Sequence, residues 1–335
     1  MSTSPILVVG SGAIGAIAGV NLLANGYDVH FVDANADHVA AVQKTGLRLS
    51  GVADTVVTPK IMLPEQVTDT YDTILLAVKA RHTADALPVV ARSLSADGCV
   101  VSLQNGLEEY KIAEAIGAQR TIGAYLTFGG YVVEAGHVKN GGGGSFKIGE
   151  IDGALTPRIH HLAEMLFAVH PVAVTDNIFG YLWAKMALGA VYFGTAVSDM
   201  DVVAVYDRPR AREVLARLCG EVVAVADARG INIEQSDGFD PQAFRNGGTD
   251  AARMDASWEA QRRYWGSHDN ARTGVWRDLA IFRRPTEVDY QLTPVIEIGR
   301  QAGVTTPYLE ALHRLVKDIE AARAPLSVTA LENLL

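Results

Sequence analysis

Over its first 120 residues the chain alternates short, unbroken apolar runs with stretches of helical spacing. Ile6-Leu7-Val8-Val9 and residues 27–32, 71–78 and 99–103 have the length and apolar character of strands, as expected where both faces of a sheet are covered. Residues 16–25, 37–44 and 83–94 carry apolar positions at helical spacing, and Gly26 and Gly46 stand where the first two would end. This alternation predicts an α/β fold: a Rossmann-type doubly wound parallel sheet with helices on both faces. Residues 47–60 alternate and predict short strands. Residues 122–128, 131–133 and 146–148 predict more of them, joined by glycine turns. Asn140 and the run Gly141 to Gly144 read as a plain hairpin connection, since no helix follows. Residues 156–169 form a helix with Thr156 as cap and Pro157 in its first turn, and residues 171–174 supply a last strand.

Beyond Asp176 the pattern becomes almost wholly helical. Residues 178–197 are mostly apolar and carry one charge, Lys185; helices follow over 209–228, 251–264, 287–302 and 307–322. Gly230, Gly247-Gly248 and Gly303 punctuate them, and residues 237–250 read as a loop. The expected division is residues 1–176 as the Rossmann domain and residues 177–335 as an all-helical C-terminal domain.

The first strand runs into Gly10-Ser11-Gly12-Ala13-Ile14-Gly15, the spacing G-x-G-x-x-G, and then into a helix. Strand, glycine turn and helix form the setting in which this motif binds a dinucleotide. The first glycine permits the tight turn, the second lets a pyrophosphate approach the backbone, and the third lets helix and strand pack closely. The helix N-terminus favours the phosphate charge. Asp33 ends the second strand, 23 residues after Gly10, near the roughly 20 expected of an acid that accepts hydrogen bonds from the adenosine ribose. Its neighbours Ala34 and Asn35 are uncharged. A carboxylate there repels a 2′-phosphate, so the expected cofactor is NAD, with NADP the alternative.

Composition narrows the classes. The 335 residues suffice for two domains of roughly 100–200 residues each. With 49% hydrophobic residues and a net charge of −9, a large core is available and nucleic acid is not the expected partner. Two cysteines, Cys99 and Cys219, offer no zinc or disulfide pattern and suit a reducing cytoplasm. The sequence shows no signal segment and no run of the roughly 18 apolar residues that a membrane span needs.

Lys79 and Asn105 follow predicted strands, at the carboxyl ends where ligands bind in doubly wound sheets. Lys185 admits two readings. An ammonium on an apolar helix is costly unless paired or at a cleft, where it can serve as an acid; it can also snorkel to the surface. Glu287 follows Pro285-Thr286, a helix start at which an acid is favoured by the dipole alone, and Asp289 competes with it. Arg283 and Arg284 compensate the acid or face solvent. His82 and His268 are isolated and read as surface or satisfied side chains. Trp258, Tyr264, Trp265 and Trp276 read as core or subunit interface.

Taken together, G-S-G-A-I-G, A-V-K at Lys79, L-Q-N-G at Asn105, W-A-K at Lys185 and P-T-E-V-D-Y at Glu287 resemble the ketopantoate reductase family in order and spacing. The resemblance implies a Rossmann domain followed by a helical domain, with the active site in the cleft between them. It implies that Lys185 protonates the substrate carbonyl oxygen during hydride transfer and that Glu287 binds the substrate hydroxyl. Asn105 and Lys79 would line the nicotinamide and substrate side of the cofactor site. It also implies a homodimer formed through the helical domain. The sequence departs from that family where two asparagines usually follow the lysine, here Gly189 and Phe193, and at a serine pair, here Thr273-Gly274. The segment 278–287 is one residue longer. These departures leave the substrate open between ketopantoate and another small 2-oxo or 2-hydroxy acid. A different class, a non-catalytic dinucleotide sensor, is countered by the presence of both Lys185 and Glu287.

Overall fold

The computed structural model describes residues 4–267 and 271–334; His268 lies outside them. The chain divides into two compact units, which meet in sequence between Ile178 and Phe179.

The first unit contains strands β1 (Ile6–Val9), β2 (Val29–Val32), β3 (Leu47–Ser50), β4 (Thr55–Val57), β5 (Lys60–Met62), β6 (Tyr71–Leu76), β7 (Leu94–Ser102), β8 (Thr121–Leu126), β9 (Gly130–Glu134), β10 (His137–Asn140), β11 (Phe146–Glu150) and β12 (Ala173–Val174). Its helices are α1 (Ala13–Ala24), α2 (Ala36–Thr45), α3 (Thr83–Ser93), α4 (Glu109–Ile116) and α5 (Pro157–Leu166). An eight-stranded sheet runs in the order β12-β11-β8-β7-β6-β1-β2-β5. The strands from β8 to β5 pair in parallel, and β11 joins β8 antiparallel. Ile6 and Val8 enter one apolar cluster, while Leu7 and Val9 enter the one on the opposite face. Both faces are thus covered, which explains the unbroken apolar runs.

A second sheet, ordered β4-β3-β10-β9, was not legible in the sequence. It also corrects the reading of the glycine run. β10 pairs with β9 and β3, whereas β11 pairs with β8 and β12. Residues 141–144 therefore carry the chain from one sheet to the other and close no hairpin. The small sheet packs on α1: a Cβ placed on Gly130 would lie 3.0 Å from Ile17 Cδ1. Covered from two sides, α1 buries Gly15 to Val20 and Leu22, and its apolar residues run all round it, as burial requires.

The second unit is helical, as expected. It comprises α6 (Ile178–Ala196, which begins one residue earlier), α7 (Val202–Tyr206), α8 (Pro209–Ala228), α9 (Ala251–Gly266), α10 (Gly274–Arg277), α11 (Val288–Gln301), α12 (Pro307–Glu320) and α13 (Val328–Glu332). α8 runs through its centre, with Leu215, Leu218, Val222 and Val223 wholly buried. Trp258 packs its ring 4.8 Å from Phe244 and 5.3 Å from Tyr206, so it belongs to the core; Tyr264 is exposed. Both cysteines are buried, and burial raises their thiol pKa values, that of Cys99 to about 11. Among the described residues no helix is long and apolar enough to cross a membrane.

Candidate active site

The glycine motif sits where β1 turns into α1. Gly10 N–H donates to Val32 O at 2.7 Å, carrying the β1–β2 ladder one step further. Its φ is +94°, and a Cβ there would lie 2.7 Å from Val78 Cγ1. A Cβ on Gly15 would fall 1.8 Å from Gly10 O. The protein's own packing therefore requires both glycines. Gly12 differs: a Cβ added there would meet nothing within 4 Å. The bareness of Gly12 is not demanded from inside the chain, and it suits the approach of a pyrophosphate. Gly12 also caps α1 without a side-chain oxygen, and the first turn holds no acid. The dipole and N–H groups there remain suited to an anion. Ala13 and Ile14 form that first turn.

Asp33, half-buried at the end of β2, is fixed beneath this loop. Its Oδ2 accepts from Ser11 N at 2.8 Å and from Ser11 Oγ at 2.9 Å, and its Oδ1 accepts from Asn35 N at 2.9 Å. A carboxylate offers about four acceptor sites, so Oδ1 retains capacity for one further donor. The residues present thus fit an adenosine ribose and pyrophosphate.

Lys79 and Asn105 are both exposed, on the segments that leave β6 and β7 at their carboxyl ends. Buried Gln104, which sequence reasoning passed over as part of L-Q-N-G, ties these segments together. Its Nε2 donates to Val78 O at 2.9 Å and to Thr83 Oγ1 at 2.8 Å. His82 is exposed beside Arg81.

In the second unit, α6 is buried beyond its first turn except along one stripe. Tyr181, Lys185, Leu188, Gly189 and Tyr192 are half-buried, while Trp183, Ala184, Met186 and Ala187 are buried. The stripe follows helical spacing, so Lys185 lies on the one face of this helix that the core leaves open. Tyr192 ends the stripe by donating from its hydroxyl to Gln261 Oε1 at 2.8 Å.

Glu287 is the N-cap of α11, a residue earlier than the first turn expected, and its carbonyl accepts from Tyr290 N and Gln291 N. The preceding residue anchors it. Thr286 donates from both N and Oγ1 to Glu320 Oε1 at 2.7 Å, and its Oγ1 accepts from Val288 N. Glu320 on α12 was invisible to motif reading, because it acts across 34 residues. Asp289, the rival acid, is engaged by His313 Nε2 at 2.7 Å and Lys317 Nζ at 2.8 Å. Burial works to raise its pKa, but the lysine and histidine outweigh that and hold the carboxyl below its usual range. Arg284 pairs with Asp278. Within segment 278–287, Asp278–Phe282 form a π-helical turn closed by Arg283 at φ +47°, a turn of the kind that accommodates one inserted residue. Thr273 Oγ1 accepts from Trp276 N as the cap of α10.

A doubly wound sheet with this glycine turn, and an acid held under it, defines a dinucleotide-binding protein of the Rossmann type. The chain belongs to the ketopantoate reductase PanE/ApbA family, whose N-terminal model matches residues 6–153 and whose C-terminal model matches residues 177–320. The family consists of NAD(P)-dependent oxidoreductases acting on a CH–OH group. The 2-dehydropantoate 2-reductase of Streptococcus pyogenes serotype M3 is 24% identical over 319 residues, spanning 94% of this chain and 98% of that protein. Among solved structures, a PanE/ApbA family ketopantoate reductase from Ralstonia eutropha superposes with a TM-score of 0.78 at 25% identity, covering 95% of this chain and 99% of the other. A D-mandelate dehydrogenase in complex with NADH and anilino(oxo)acetate superposes with a TM-score of 0.80 at 23% identity over the same shares.

Proposed function

We propose that the chain transfers hydride between NAD(H) and a small 2-oxo or 2-hydroxy acid, with Lys185 as the general acid and base. The observation that carries this reading is the position of Lys185 on the half-open stripe that α6, otherwise buried beyond its first turn, keeps among the described residues. A lysine there is held in place by packing yet remains accessible to a substrate. In reduction its ammonium donates a proton to the carbonyl oxygen and stabilises the developing alkoxide; in oxidation the neutral amine accepts the hydroxyl proton. Glu287, anchored through Thr286 and Glu320, accepts a hydrogen bond from a substrate hydroxyl. When bound, the nicotinamide supplies the hydride. The Gly10–Gly15 loop, Lys79 and Asn105 hold the cofactor, and Asn105 orients its reacting end.

Asp33 supports NAD over NADP, since its fixed carboxylate would oppose a 2′-phosphate. The complex of a structurally similar D-mandelate dehydrogenase with NADH and anilino(oxo)acetate supports the same cofactor and a hydroxy-acid substrate. The names of the curated relatives favour a second reading, a 2-dehydropantoate 2-reductase using NADPH. Exposed Tyr264, Ile281 and Phe282 support a homodimer formed through the second unit.

The test is steady-state kinetics with NADH and NADPH against ketopantoate and against aryl and alkyl 2-oxo acids. Lys185→Ala should lower kcat by roughly 100- to 10,000-fold with NADH binding retained. Unchanged turnover in that variant would remove the lysine from the chemistry.

A further inference from the structure

Gly189 stands one helical turn after Lys185 on the open stripe of α6. A Cβ placed there would lie 3.2 Å from Gln291 Oε1 and within 4 Å of nothing else. Gln291 in turn stands one helical turn after Glu287 on α11. The two helices therefore meet where a bare backbone position faces a carboxamide. Four residues of α-helix rise about 6 Å, so Lys185 and Glu287 each lie one turn from that meeting point. Gln291 is half-buried, and among the described residues its carboxamide has no hydrogen-bond partner. An amide that is partly withdrawn from water gives up hydration, and a ligand can restore it.

We propose that Gln291 is a substrate-binding residue whose side-chain amide donates to the carboxylate of the 2-oxo acid, and that Gly189 is bare so that this amide can lie across α6. The inference rests on the proposed function above. Its chemistry follows from the charges nearby. A 2-oxo acid presents acceptors at its carbonyl and its carboxylate. Lys185 serves the carbonyl oxygen, while Glu287 repels a carboxylate brought near it. A neutral donor with two N–H groups binds the carboxylate beside that acid without adding charge. Of the carboxamide's polar atoms only Oε1 lies within 4 Å of that Cβ position, which leaves Nε2 as the donor for the substrate.

The experiment compares Gln291→Leu, Gln291→Glu and Gly189→Leu with the wild type, measuring KM and kcat for a 2-oxo acid that the wild type reduces. Calorimetric binding of oxamate, an unreactive 2-oxo acid analogue, is measured in the presence of NADH. Gln291→Leu should raise KM and the oxamate Kd by about 10- to 100-fold, as expected for hydrogen bonds to a charged group, while kcat changes by less than about threefold and NADH affinity stays the same. Gln291→Glu should weaken oxamate further. Gly189→Leu should reproduce the KM defect by displacing the amide. Unchanged KM and oxamate affinity in Gln291→Leu would overturn the assignment, as would a loss confined to kcat or to NADH binding. The parent reading fails separately, through undiminished turnover in Lys185→Ala.

Discussion

The three glycines of the loop make different demands, and alanine substitution separates them. A methyl at Gly12 meets no protein atom within 4 Å, and the residue's φ of −68° is open to any L-amino acid. Gly12→Ala should therefore leave stability unchanged or raise it by about 0.4–1 kcal/mol, through the lost freedom of the unfolded chain. That corresponds to a rise in Tm of up to about 4 °C for a unit of this size. Gly10→Ala must hold φ at +94° and also bring its Cβ within 2.7 Å of Val78. The left-handed backbone alone costs about 1–2 kcal/mol, and the clash adds to it. Gly15→Ala would set a methyl 1.8 Å from a backbone carbonyl, so α1 must move. Both should lower Tm by at least about 4 °C. Cofactor binding should reverse the ranking of Gly12. A methyl between the backbone and a pyrophosphate is an overpacking of about 1–3 kcal/mol, hence a rise in the NADH Kd of roughly 5- to 150-fold. Thermal unfolding without ligand and titration of NADH fluorescence supply the two readings. If Gly12→Ala bound NADH like the wild type, or lost as much stability as Gly15→Ala, the assignment of this loop to a pyrophosphate would be refuted.

Two further outcomes test other parts of the structure. Asp33→Asn removes one of the two oxygens that accept from Ser11 and Asn35; NADH should bind roughly 10- to 100-fold more weakly and the ratio of NADH to NADPH efficiencies should fall, so an unaltered ratio in initial-rate assays would remove Asp33 from cofactor choice. Glu221 on α8 accepts from Tyr308 N at 2.9 Å and Leu309 N at 2.8 Å at the start of α12, yet burial outweighs those bonds and pushes its pKa from 4.5 up to about 7. A raised folded-state pKa contributes stability that is complete below about pH 4.5 and is lost as pH rises through about 7. The difference in Tm between wild type and Glu221→Gln should accordingly shift against the wild type across that range, and a shift in its favour would show the carboxylate to be stabilised as an anion.

What the sequence made legible follows the locality of its signals. β1, β6 and the glycine turn are visible because a strand covered on both faces needs an unbroken apolar run, and because the positive φ of Gly10 and the contact of Gly15 with Gly10 O are constraints of the turn itself. Pairing partners are not local, which is why the run at 141–144 resembled a hairpin: it is bounded by two strands, and nothing in either names its sheet. β10 carries His137, Lys139 and Asn140 around a single buried valine, Val138, too weak an alternation to register. α7, α10 and α13 are each one turn or little more, too short for periodicity to speak.

The candidate functional residues divide along the same line. On the nucleotide side the constraints act on backbone, through one turn and one strand end, so they survive as a linear motif. On the side of Lys185 and Glu287 they act through side chains that meet from distant segments. Residue chemistry alone left Glu287 and Asp289 as rivals, and only the resemblance gave the role to Glu287; the partners that absorb Asp289 lie 24 and 28 residues away on α12. Gly189 read by itself is a missing polar group; beside Gln291 it is a position vacated on one helix and occupied from another. A departure from a motif on this side therefore reports one position and not the surface to which it belongs. A carboxamide presented from α11 beside a bare position of α6 keeps that surface polar while changing its shape.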